Sequence, residues 1–172
     1  SAQMAAARAT LAGRPELNEL VRYATLAASG HNTQPWRFRV GEGHIAVLPD
    51  FARRTLVVDP DDHHLYASLG CAATNLAIAG AASGLPGALS FDPVGDGSIR
   101  FDFVRGAATP SALCAAIPHR QSTRADYDGR GISSDELAAL AAAATVPGID
   151  VVFLTERSQI DRVRDLVIAG NT

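Results

Sequence analysis

Lysine is absent from this chain: all 15 of its cationic residues are arginine. Any anion site must therefore use guanidinium groups, which favour bidentate contacts with oxyanions. Cysteine is nearly absent too, with only Cys71 and Cys114. Two cysteines build no disulfide scaffold, and these two have no metal-ligand spacing. Both sit in Ala-rich apolar runs, so both are expected to be buried structural thiols. Uninterrupted apolar runs stay well short of the ~18 residues of a membrane span, which argues against a transmembrane helix. The start, Ser1-Ala2-Gln3-Met4, lacks the charged-then-apolar pattern of a signal peptide. The expectation is a cytoplasmic protein, with an earlier leader removed before Ser1 left open. Excess positive charge is missing as well: the net charge is -3, which argues against a generic phosphate-backbone binder. What remains is globular. Of 172 residues, 47% are hydrophobic, enough for about one domain with a real core.

Punctuation divides the chain. Residues 1–13 are Ala-rich without a clear apolar face. Leu17, Leu20, Val21, Ala24 and Ala27 recur at helical spacing until Ser29-Gly30. Trp36 to Val40 and Ile45 to Leu48 read as strands around a Gly41-Glu42-Gly43 turn. Asp59-Pro60-Asp61-Asp62 reads as a helix start, with an Asp cap, Pro at the first helical position and acids at the positive end of the dipole. That helix runs to about Ser83 and is apolar nearly all round, so it is expected at the centre of the fold. Ala88 to Phe91 and Ile99 to Arg105 read as two further strands. A short helix leads to Pro118. Ser133 and Glu136 then form a capping box, Gly148 ends that helix, Val151 to Leu154 reads as a strand, and 156–169 as a last helix.

A faint repeat accompanies this order. Glu16-Leu17, Leu20 and Ala24-Thr25 match Glu136-Leu137, Leu140 and Ala144-Thr145 at one offset of 120 residues. A duplicated unit is expected: a first repeat over 14–105, a linker over 106–116, and the start of a second repeat over 117–172.

The densest polar cluster is Ser29-Gly30-His31-Asn32-Thr33-Gln34-Pro35-Trp36, in the loop between a helix and a strand. Such loops carry binding groups on a rigid scaffold. Its carboxamides both donate and accept, which suits a ligand with mixed edges. The plain alternative is a helix end where Ser29 and Asn32 satisfy backbone groups. A second cluster is His119-Arg120-Gln121-Ser122-Thr123-Arg124. Two arginines flanking hydroxyls make a small phosphate-binding set; the alternative is a solvated basic stretch.

Other constellations are weaker. His63 and His64 with Asp59, Asp61 and Asp62 fit a helix start better than a metal site, because adjacent helical residues splay about 100° apart. Gly80, Gly84 and Gly87 do not follow a strand that opens a helix, so they give no dinucleotide fingerprint. Ser122 lacks a nucleophile elbow, and a thiol such as Cys71, expected in the core, is inert.

Ser29-Gly-His-Asn-Thr-Gln-Pro-Trp36 resembles the S-x-x-N-x-Q-P-W motif of the flavin-dependent nitroreductase family. Arg120-Gln-Ser-Thr-Arg124 resembles that family's R-x-S-x-R motif, and Leu69 to Ala79 its long central helix. The order is reversed relative to a typical subunit, where the Arg motif comes first. That reversal resembles the Acg-like branch, in which two degenerate repeats are fused. The resemblance implies an α+β fold, with a mixed, mostly antiparallel sheet packed by helices around a buried central helix. It implies FMN as cofactor and NAD(P)H as electron donor, passing electrons to a nitroaromatic or quinone-like acceptor. Ser29, His31, Asn32 and Gln34 would bind the flavin from one side, and Arg120, Ser122 and Arg124 would hold its phosphate end. No side chain would be catalytic and no metal would be bound, since the flavin carries the chemistry. The partners implied are a small-molecule acceptor, neither nucleic acid nor membrane, and a pseudo-dimer within the full chain or a homodimer. Two other classes stay open: a flavin-binding or storage protein with little turnover, and a structural fragment without cofactor.

Overall fold

The computed structural model describes residues 2–11, 15–146 and 148–170. The expected repeat ends at 14 and 172 lie outside the described residues, as does Pro147. The chain forms two compact units, Ser1–Thr123 and Arg124–Thr172. Ile117 and Pro118, just after the expected 106–116 linker, are buried in the first unit.

The first unit is built on four strands: β1 (Trp36–Gly41), β2 (His44–Pro49), β3 (Gly87–Phe91) and β4 (Ile99–Phe103). Their order is β1-β2-β4-β3, and every pairing is antiparallel. The expected α+β class with a mostly antiparallel sheet is therefore the observed one, and among these four strands every pairing is antiparallel. β1 and β2 meet in a tight hairpin, Gly41 opposite His44. Gly43 takes a φ of +68° there, which glycine alone adopts without steric cost.

Helices α1 (Ala2–Ala7) and α2 (Leu17–Ala24) precede the sheet, and α3 (His63–Ala82) crosses between β2 and β3. Leu65, Leu69, Ala72, Ala73, Leu76 and Ala79 recur every three or four residues and are buried. They join Ile45, Val47 and Phe101 of the sheet and Leu20, Tyr23 and Ala24 of α2 in one core. Leu20, Leu69, Leu76 and Phe101 are wholly buried; each contributes about 1.5–3 kcal/mol. Gly80 allows the close approach: a Cβ there would lie 2.8 Å from the Phe101 ring and 2.9 Å from the Leu85 carbonyl.

Three expectations about α3 change. Its burial is one-sided, and Cys71 is exposed rather than buried, because Ala, Gly and Cys make the helix apolar without making every face a contact face. By length and composition alone α3 is apolar enough to cross a membrane, where uninterrupted runs gave no candidate; its apolarity is used in packing against α2 and the sheet. The helix begins at His63, with Asp62 left-handed at φ 59°. Pro60 lies in the preceding turn. Asp59 still caps from there, accepting from the His64 and Leu65 N–H groups at 2.9 and 3.0 Å.

Helix α4 (Ala112–Ala116) and three 3₁₀ turns (Gly30–Asn32, Phe51–Arg53 and Ile117–His119) complete the first unit's regular elements among the described residues. The second unit holds α5 (Ser134–Ala143) and α6 (Arg157–Gly170). The Ser133–Glu136 capping box is present in both directions. Val151 to Leu154 forms no strand; an unpaired extended segment has no ladder to stabilise it. The bridge between Val146 and Ile149 is isolated.

Candidate functional site

The Ser29–Trp36 loop is held from three sides. Ser68 of α3 accepts from the Gly30 N–H at 3.1 Å and donates to the His64 carbonyl at 2.6 Å. Arg53 donates to the Thr33 carbonyl at 3.2 Å. The Asp50 N–H donates to the carbonyl of buried Pro35 at 3.0 Å. Neither Ser68 nor Arg53 is signalled by any motif.

Within this frame three non-glycine residues are left-handed: His31 at φ 49°, Asn32 at 56° and Gln34 at 50°. Asn tolerates that region; Gln ahead of a proline does not do so readily. Such residues cost about 1–3 kcal/mol each and persist where surrounding bonds over-determine them.

The two readings of the loop divide by residue. Ser29 satisfies a backbone group and closes the loop: its hydroxyl oxygen accepts from the Gln34 N–H at 3.1 Å. His31 and Asn32 are exposed and Gln34 half-buried, and their side chains make no hydrogen bond among the described residues. An imidazole and two carboxamides are thus presented outward on a constrained backbone.

Arg120 reaches the chain just ahead of this loop. Its Nε and Nη2 donate to the Leu26 carbonyl at 3.2 and 3.1 Å, across 94 residues of sequence. Leu26 lies three residues before Ser29. Nη1 approaches the Ser122 hydroxyl at 3.5 Å. Of the five N–H donors of a guanidinium, two stay uncommitted. Arg120 has no carboxylate partner among the described residues, unlike Arg22, Arg37, Arg53 and Arg54. The structure therefore anchors Arg120, with Ser122 next to it, on the Leu26 carbonyl, three residues before the loop that carries Ser29, His31, Asn32 and Gln34. Arg124 is exposed and opens the second unit.

The flanking acids are committed elsewhere. The Arg37 guanidinium beside Asp50 holds that carboxyl below the usual range. Burial pushes the Asp59 carboxyl up, but the His64 and Leu65 N–H groups and the His64 ring outweigh it, and the net direction is down. Burial pushes the Cys114 thiol up, which suits an inert sulfur. Among the described residues no cluster of three or more His, Cys, Asp or Glu could hold a metal ion.

A larger cleft, about 920 Å³, is lined by Glu16, Glu42, Gly84, Phe103 and Arg105 among others, and by none of the loop residues. Its acids and single cation form no convergent donor set. Size favours that cleft and chemistry favours the loop; recognition of a polar ligand follows the chemistry.

No protein-family model matches the chain. Over 153 residues it is 32% identical to two Mycobacterium tuberculosis proteins, of strains CDC 1551 and H37Rv, each named "Putative NAD(P)H nitroreductase". The similarity covers 84% of this chain, which spans 42% of the length of those relatives.

Proposed function

We propose that the chain is part of a nitroreductase-type, FMN-dependent oxidoreductase of the Acg-like fused-repeat branch, moving electrons from NAD(P)H to a nitroaromatic or quinone-like acceptor. The names of the relatives support the oxidoreductase class. One observation carries the site: the Arg120 guanidinium rests on the Leu26 carbonyl, beside the loop that presents His31, Asn32 and Gln34.

The donor set fits a phosphate-bearing flavin. Uncommitted N–H groups on an unpaired arginine suit a phosphate. Outward carboxamides suit a ring edge that both donates and accepts. The bound flavin would supply hydride acceptance and electron transfer. Asn32, Gln34 and His31 orient and polarise the ring; Ser29 keeps the loop closed and offers its O–H. Arg120 and Ser122 hold the phosphate end. No side chain is assigned acid or base chemistry.

One loop implies one site per chain. The stretch after α5, Thr145 to Asp150, contains no carboxamide. The same reading places the protein in the cytoplasm, as a pseudo-dimer within a longer chain or as a homodimer, with a small-molecule acceptor and no nucleic-acid or membrane partner.

The test is flavin binding followed by anaerobic NADPH. Bound FMN that bleaches supports the reductase. Bound FMN that stays oxidised supports a storage role. Failure to retain FMN, with Arg120→Ala no worse than the parent, contradicts the site.

A further inference from the structure

Three arginines form a circuit of backbone clamps that starts and ends on α2. Arg22, within α2, donates through Nη1 to the carbonyls of Ala7 and Ala9, both at 2.8 Å. Those carbonyls flank Arg8. Arg8 donates through Nη1 to the carbonyls of Pro118 and Arg120, at 2.6 and 3.0 Å. Those flank His119. Arg120 closes the circuit on the Leu26 carbonyl, two residues past α2.

The carbonyls at helix ends lack intrahelical partners, so cationic donors there satisfy orphan acceptors. Ala7 ends α1, Pro118 lies in the 3₁₀ turn, and Leu26 follows α2. A planar guanidinium can reach two such acceptors at once, where an ammonium acts as a point charge.

The charges differ around the circuit. Arg22 is neutralised by Glu19 at 2.7 Å. Arg8 and Arg120 have no acidic partner among the described residues. Two cations without an acidic partner among the described residues are therefore joined through one short stretch of backbone, with neutral carbonyls and the Ser122 hydroxyl as partners.

We infer that Arg8 is the positioning residue of the anion-binding arginine: it fixes the 118–120 backbone so that Arg120 stands beside the Ser29–Gln34 loop, and it adds its own positive charge to that site. The N-terminal segment is then a working part of the site. This rests on the flavin reading above, with the phosphate as the anion.

The test uses the full chain with Arg8→Ala, Arg8→Lys, Arg120→Ala and the double alanine variant. FMN dissociation constants come from quenching of flavin fluorescence, and the Arg120 Nε–H is followed by ¹⁵N–¹H NMR. Losing a charge-assisted clamp corresponds to about tenfold. Arg8→Ala is expected to weaken FMN by about that factor, with Arg8→Lys recovering part of it. The double variant should lose less affinity than the two single losses combined, since the two act as one unit, whereas additive losses would mean that Arg8 and Arg120 act independently. The Arg120 Nε–H signal should move to its solvent-exposed position in Arg8→Ala without any ligand. An unchanged signal and unchanged FMN affinity in Arg8→Ala, while Arg120→Ala weakens binding, overturns the inference and leaves the flavin site standing. FMN binding indifferent to Arg120 as well removes both.

Discussion

Helices α2 and α5 share leucines at an offset of 120 residues, Leu17 and Leu20 against Leu137 and Leu140, and meet opposite fates. Leu20 of α2 is fully buried, whereas its counterpart Leu140 of α5 is 47% exposed. α2 packs against α3, and Tyr23 and Ala24 join the core beside Leu69 and Leu76. No described residue of the second unit is buried. An amphipathic Ala/Leu pattern thus sets which face a helix offers and leaves open whether that face is used. What separates the helices is the partner: a sheet and a long apolar helix stand within the first unit, and the second unit's described residues supply neither.

The largest test of that contrast lies in the first core. Leu69→Ala removes a wholly buried side chain and should cost about 2–5 kcal/mol in urea unfolding. Next comes Gly80→Ala, whose Cβ would press on the Phe101 ring and the Leu85 carbonyl; overpacking there should cost about 1–3 kcal/mol. A neutral outcome for either would mean that the core is looser than described. Gln34→Gly probes the strained loop. Releasing a left-handed Gln should raise stability by about 1 kcal/mol while lowering the order of the loop; a loss would show that the Gln34 conformation is not a cost.

Acid sharpens the contrast from another side. Asp59 and Glu136 are both held below their ordinary carboxylate values, Asp59 by the balance of burial against bonds to His64 and Leu65, Glu136 by its bonds with Ser133. A depressed folded value stabilises above the unfolded value and is lost as pH falls through the folded one. Both contributions should be intact at neutral pH and fade below about pH 4. Asp59→Asn should flatten the acid limb of first-unit unfolding, and Glu136→Gln that of α5 helicity by circular dichroism. Smallest of all, Leu140→Ala should stay within about 0.5 kcal/mol. A cost like that of Leu69→Ala would show that α5 buries its apolar face after all.

Local signals were legible where they are self-contained. The β1–β2 hairpin follows from alternation and a glycine turn, and the α5 start from its capping box. The extent of α3 follows from its apolar pattern, with an end at Gly84, whose φ is +77°. Readings failed where a neighbour decides. Val151 to Leu154 has the composition of a strand and no partner to ladder with. Cys71 lies in an apolar run yet faces outward. Asp59 caps α3 from further back than expected, because the Asp62 backbone turns left-handed. Of the candidate site, the loop and the Arg motif were visible as residue types. Their meeting at Leu26 was not, nor were Ser68, Arg53 and Arg8, because a guanidinium that clamps carbonyls leaves no pattern in its own neighbourhood.

The measurement that bears most directly on the proposed site is a visible absorption spectrum of the protein with added FMN, after removal of free flavin, beside the Arg120→Ala variant. The account predicts a retained flavin band near ~450 nm, a property of the cofactor itself, that bleaches with anaerobic NADPH and is lost or much reduced in the variant. Equal bands in the two proteins, or no band in either, would contradict it.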